Sequence, residues 1–264
     1  MMLQPIIPTT GIAGWRFLER TYDRQLETFS ASPSLERETQ YFLDNIGKVT
    51  SAEELVSDPQ LLRVALGAFG LESDIQNKYF IQRVLADGTS ADDALANRLS
   101  DERYKKFSDA FDLGPGAFRN TAYPSEMQKI ADLYQAQSFE TSVGEIDNDM
   151  RLALYLQREL PELAASSSST DTKWFTVMGN PPLRQVFETA LGLPKSVGQL
   201  DIDQQLGIFK DRAEQVFGSD GFDQFMTEQG ADDLTTKFLA RAQLAQITSA
   251  LSPASTALVL LQNI

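Results

Sequence analysis

Apolar residues recur along this chain at the three- and four-residue steps of a helix face. No stretch shows the sustained period-two alternation of a half-buried strand. Trp15, Leu18, Tyr22, Leu26 and Phe29 follow steps of 3, 4, 4 and 3, a single stripe that predicts a helix opening at Gly11. Ser32 and Pro33 close it, and Pro33 suits the first turn of a second helix running through Phe42 to Ile46. Ser51 and Glu54 have the spacing of a capping box. Asp58-Pro59 supplies an N-cap and a first-turn proline for a helix over 61–69, which Gly70 stops. Further helices are expected at 72–86, 90–99 and 101–112, with Ser90 and Ser100 as caps. Residues 1–10 read as a mobile lead-in.

The stretch 113–124 contains Gly114, Pro115, Gly116 and Pro124 and predicts a boundary, giving subdomains 1–123 and 124–264. Past it, Phe139, Val143, Ile146, Met150, Ala153 and Leu160 continue in alternating steps of 4 and 3, with Gln157 in the missing place. They predict one long linking helix over 125–160, about 50 Å at 1.5 Å per residue, with Gly144 as its weak point. A polar loop follows at 164–172, then helices near 172–178, 182–191, 199–217, 221–229 and 231–251. The fold class is all-α and multihelical.

A repeat stands out. Residues 58–71 align without gaps on 180–193, with Pro59/Pro181, Leu61/Leu183, Val64/Val186, Ala68/Ala190, Gly70/Gly192 and Leu71/Leu193 identical. Asp58 and Asn180 both make good N-caps. Upstream, Tyr22, Gln25, Glu27 and Thr28 resemble Tyr134, Gln137, Glu140 and Thr141. Downstream, Ala91-Asp92-Asp93 resembles Ala231-Asp232-Asp233. Three matches in one order predict two pseudo-repeated helical subdomains.

Composition narrows the chemistry. The 264 residues are 42% hydrophobic and 23% charged, enough for a globular core. Against 23 Lys+Arg stand 37 Asp+Glu, a net charge of −14 that would be repelled by nucleic acid and by anionic lipid. The densest basic stretch, Arg103, Lys105 and Lys106, is itself flanked by acids. There is no His and no Cys, which removes Ser-His-Asp and Cys-His catalysis, disulfides and nearly all zinc sites. Gly114-Pro115-Gly116 lacks the third glycine of a phosphate cradle, Gly47-Lys48 lacks a Walker spacing, and no calcium loop is present. Paired acids at Glu53-Glu54, Asp92-Asp93, Asp101-Glu102, Asp147/Asp149 and Asp232-Asp233 fit the first turns of helices better than a glycosidase pair. No catalytic, cofactor-binding or metal-binding residue is therefore assigned.

No window of 18 apolar residues predicts a membrane span, and the start lacks the basic residues and unbroken apolar core of a cleaved signal. The cytoplasm is the default expectation, with signal-less export by a dedicated apparatus that reads an uncleaved N-terminus as the exception. The longest apolar run is Ala257, Leu258, Val259, Leu260 and Leu261. This tail and Trp174 are the expected partner-binding residues, set against the plainer readings of a tail folded back onto its own domain and of Trp15 and Trp174 as core anchors.

Several segments carry a resemblance. Gly11-Ile12-Ala13-Gly14-Trp15-Arg16-Phe17-Leu18, Glu53-Glu54-Leu55-Val56, Leu66-Gly67-Ala68-Phe69-Gly70-Leu71 and Leu95-Ala96-Asn97-Arg98-Leu99-Ser100-Asp101-Glu102-Arg103-Tyr104 are similar to an alphaproteobacterial family catalogued as domain of unknown function number twelve-seventeen. That family is multihelical and is often encoded among flagellar genes. The resemblance thus implies a non-enzymatic interaction protein of flagellar assembly or structure, whose partners are rod, hook or export proteins. The alternatives are a carboxylate-dependent hydrolase of cell-wall glycan and a cytosolic helical protein unrelated to motility.

Overall fold

The structure, a computed structural model, describes residues 4–116 and 118–250, the last two without their side chains. Thirteen α-helices and four short 3-10 turns make up the described residues, and no strand occurs among them. Two compact units divide the chain. Unit 1 holds residues 4–6 and Leu18–Ile146, and unit 2 holds Ile7–Phe17 and residues 147–250.

In unit 1 the core is a triad of mutually packed helices, α2 (Pro33–Ile46), α4 (Pro59–Ala68) and α8 (Pro124–Gly144). Leu35, Phe42, Leu62, Leu66 and Phe139 are buried at their contacts. The approach of α4 to α8 depends on Gly67, where a Cβ would lie 2.5 Å from Cε2 of Tyr134. Around the triad lie α1 (Gly11–Ser30, from Leu18 onward), α3 (Ala52–Ser57), α5 (Lys78–Asp87), the single turn α6 (Leu95–Arg98) and α7 (Arg103–Phe111). Phe107 meets Phe69 and Phe111 edge-on at 5.7 and 5.4 Å between centroids, which ties α7 to the end of α4.

Unit 2 also contains three mutually packed helices. Its mutually packed triad is α9 (Asn148–Ala165), α11 (Pro181–Leu191) and α13 (Glu228–Ala250). Between them lie α10 (Thr170–Gly179) and α12 (Ile202–Phe217), and an aromatic cluster fills the interior. Trp174 packs against Phe187, Phe209 and Phe222 at 5.3, 5.8 and 4.9 Å. Its indole N–H donates to the Asp220 carbonyl at 2.9 Å. Arg16, at the start of α1, forms a two-pronged ion pair with Asp232 of α13, at 2.6 and 2.9 Å.

The matched segments behave alike in detail. Asp58 accepts from the amides of Gln60 and Leu61, and Asn180 from that of Leu183. Each helix then ends in a left-handed glycine, Gly70 at φ 66° and Gly192 at φ 69°. The next residue's amide reaches back five positions, Leu71 to Leu66 and Leu193 to Glu188, the bond that satisfies a late carbonyl. A tyrosine braces each cap. Tyr41 of α2 donates to Asp58 at 2.7 Å, and Asn180 donates to the Tyr155 oxygen of α9, also at 2.7 Å.

Several expectations need correction. The helix expected over 125–160 is two helices, because Asp147 caps α9 by accepting from the amides of Asp149 and Met150. The unit boundary therefore falls at 146/147, not 123/124, and α8 belongs to unit 1. The upstream repeat match fails as a partition, since Tyr22 and Tyr134 both lie in unit 1. The downstream match fails too, because Ala231-Asp232-Asp233 sits inside α13 while 91–93 form a turn. Helix 90–99 shrinks to α6, and Ser90 and Ser100 cap nothing. Asp101, not Ser100, accepts from the Arg103 amide at the start of α7. The start of 72–86 is a 3-10 turn, and within 221–229 only Asp223–Met226 is helical in that form before α13 begins at Glu228.

Candidate functional site

Acidic pairs are the first place to look for chemistry in a chain without His or Cys. At the α3–α4 junction, Tyr41, Glu53, Glu54 and Asp58 border an open depression of 690 Å³. Glu54 is held below its ordinary range, first by the backbone amide of Thr50 and then by the Thr50 hydroxyl, which donate to it at 2.6 and 2.9 Å. Burial works to raise Asp58, but hydrogen bonds from Tyr41 and from the Leu61 and Gln60 amides outweigh it and hold this carboxyl low. Both groups therefore remain ionised at neutral pH, and their lone pairs are used in capping. Neither is a proton donor for a leaving group.

The start of α9 offers the opposite case. Asp149 is pushed up, mainly by burial and secondly by the charge of Asp147, while Gln246 of α13 donates to it at 2.8 Å and pulls the other way. A raised acid beside a second carboxyl group is the arrangement to examine for an acid/base pair. The cavity they share with Gly11 and Gln243 has a volume of 20 Å³, which admits one water and no sugar ring. Among the described residues no group of three or more acids could hold a metal ion.

The expected partner-binding residues separate. Trp174 is 0% exposed and belongs to the aromatic core of unit 2, so it is an anchor of the fold and offers no contact surface. Its sequence signal, a large aromatic opening a helix, is the same for core and interface. Leu258, Val259, Leu260 and Leu261 lie outside the described residues. What leads to them is visible. Residues 243–248 of α13 are all exposed, with Leu244 at 61% and Ile247 at 50%. Gln243 and Gln246 turn toward the start of α9, and Leu244 and Ile247 lie one 100° step further round the helix. Arg241 is the last charged residue of the chain, and the 23 that follow it carry none. That uncharged run was a readable signal for this surface. No described helix is long and apolar enough to cross a membrane.

Known proteins supply a family and a fold relative. A crystal structure of a protein from Agrobacterium tumefaciens is 26% identical to this chain, covers 89% of it and 98% of its own length, and superposes with a TM-score of 0.70. No curated protein matches the chain. The model of a family described as a protein of unknown function, DUF1217, matches residues 68–230, more than half of the sequence and parts of both units. The chain belongs to the DUF1217 family.

Proposed function

We propose that this protein is a non-enzymatic helical interaction protein that engages its partner through the exposed end of α13 and the uncharged residues beyond it. The observation that carries the reading is the pair Leu244 and Ile247, open to solvent near the end of α13, where the sequence that follows carries no charge. Asp233 is the last acid of the sequence, so no acidic side chain interrupts the apolar pair along this stretch. The resemblance to a family often encoded among flagellar genes makes rod, hook or export components the partner class. Assembly factor and minor structural component are both consistent with it.

The raised Asp149 is the one feature on the side of a glycan hydrolase, and the single-water cavity around it weighs against that reading. The deciding experiment is fractionation of source cells into cytoplasm, purified basal bodies and medium. It is followed by titration of the intact chain with purified rod, hook and export proteins. Recovery with basal bodies or medium and saturable binding to one component are expected. Deleting residues 254–264 should weaken that binding without unfolding the helices. Unchanged affinity would remove the tail from the contact, and absence of binding to every component would end the flagellar reading.

A further inference from the structure

Within the lead-in expected to be mobile, Pro5 and Ile6 are docked. In unit 1 the backbone of Ile6 is gripped by one side chain: its amide donates to Gln25 Oε1 at 2.7 Å, and its carbonyl accepts from Gln25 Nε2 at 3.2 Å. The Gln25 amide is oriented independently, because Nε2 also donates to Thr21 Oγ1 at 2.8 Å. Thr21 lies one turn earlier on α1, so the amide plane is set whether or not Ile6 is present. A side-chain amide that both donates to and accepts from the main chain of one residue reads the backbone and not the side chain, as a sheet edge does.

Side-chain selection comes from the adjoining cavity. Pro5 is buried, whereas Ile6 points away and is 64% exposed. Beside Pro5 remains a space of 190 Å³, walled by Phe29 of α1 and Phe139 of α8, whose rings meet edge-on at 5.5 Å, with Arg24 and Thr28 at the rim. A proline underfills it. Further along, the Thr9 carbonyl lies against Gly14, where a Cβ would come within 1.8 Å of it, so residues 4–6 can leave without releasing the rest of the lead-in.

We infer that the α1/α8 groove of unit 1 is a receptor for an extended peptide segment, and that residues 4–6 occupy it as a displaceable plug. The ligand is a partner protein's extended segment with a large apolar side chain where Pro5 now sits, and an acidic residue facing Arg24 favours it further. This site is distinct from the end of α13 and does not depend on the partner assigned there.

The test uses a fluorescent hexapeptide with the sequence of residues 4–9 and a second with Leu in place of Pro5. Anisotropy would follow binding to the intact chain and to two opened chains, Pro5→Asp and a deletion of residues 2–6. Opened chains should bind at least ten-fold more tightly than the intact one, and the Leu peptide at least three-fold more tightly than the Pro peptide. Gln25→Glu keeps the shape but replaces the donor with an oxygen, and should cost an opened chain at least ten-fold. Equal binding to intact and opened chains, indifference to Gln25→Glu, or no binding by opened chains that remain helical would overturn the inference. In the intact chain the Ile6 amide should exchange its hydrogen at least a hundred-fold faster than that of Phe29, and equal protection would also overturn it. Dimerisation of the intact chain that Gln25→Glu abolishes would assign the groove to a second copy, against a partner protein.

Discussion

Gly67→Ala tests the central contact of unit 1. In an exposed helix this change is favourable by about 1 kcal/mol, because glycine has more backbone freedom to lose. Here the new Cβ would lie 2.5 and 2.7 Å from Cε2 and Cδ2 of Tyr134, about 1 Å inside ordinary contact. The ring has little room to yield. Tyr134 is buried, and its hydroxyl donates to Glu38 Oε2 of α2 at 2.6 Å, which fixes the far end of the side chain. Burial and then that bond keep the phenol protonated. With the ring held at its far end, the cost lies in the upper part of the roughly 1–3 kcal/mol range for overpacking, about 2–3 kcal/mol. The net expectation is a loss of about 1–2 kcal/mol, or a fall in melting temperature of about 3–8 °C for a unit of this size. In a Tyr134→Ala background the same substitution meets empty space and should stabilise by about 1 kcal/mol. The four chains of this cycle would be unfolded in urea and followed by far-ultraviolet circular dichroism. A change of sign between the two backgrounds is the predicted result. A neutral or stabilising Gly67→Ala in the wild-type background, or the same value in both, would refute the close-approach argument.

Three further outcomes follow from the same geometry. Tyr155→Phe leaves the buried Asn180 side chain without its acceptor and should cost about 1–3 kcal/mol. Tyr41→Phe should cost about 0.5–1, because the more exposed Asp58 keeps its two amide donors; paired urea titrations decide the order. A carboxyl whose folded pKa is raised favours the fold below its unfolded pKa, and that help is lost as pH rises through the folded value. Asp149→Asn should therefore gain on the wild type as pH climbs from just below the ordinary aspartate value of about 3.9 to neutrality, read from unfolding midpoints at both ends; a constant difference would contradict the raised Asp149. Leu244→Glu with Ile247→Glu should leave stability within about 0.5 kcal/mol and weaken binding of the α13 partner by roughly thirty-fold, since about half of each side chain is still available for burial. Calorimetry on the partner identified by fractionation would measure it.

What the sequence revealed and what it hid divide along the distance between interacting residues. The caps at Ser51 and Asp58, the first-turn prolines 33, 59 and 181 and the glycine exits at 70 and 192 are local chemistry, and each is where the pattern placed it. The false long helix had a different origin. Phe139 and Val143 are buried in α8, while Met150, Ala153 and Leu160 are buried in α9, so two apolar stripes fell into phase across a break. Ile146, read as a member of the stripe, is 45% exposed at the join, and Gly144 followed by Asp147 was the available clue. The tyrosine braces were illegible because their partners are 17 and 25 residues away. The Gln25 clamp was hidden for the same reason, since nothing in Gln25 itself indicates that a peptide 19 residues earlier folds back on it.

The distribution of the acids bears on function more than their number. Glu54, Asp58, Asp147 and Asp201 are bonded to backbone amides at or beside helix N-termini, so the paired carboxylates that suggest hydrolysis serve mainly to start helices. Asp149 is raised, but the space beside it holds one water. The two surfaces left over have another character. The end of α13 offers apolar side chains without charge, and the α1/α8 groove offers an oriented amide beside an underfilled apolar cavity. Under the two proposals both would recognise polypeptide, one by burial of Leu244 and Ile247 and the other through main-chain hydrogen bonds to Gln25. Neither places a nucleophile or a proton donor where a bond could be broken. Carboxylates spent on helix caps and apolar surface left open to solvent are the two observations that support the proposal of a protein that binds other proteins.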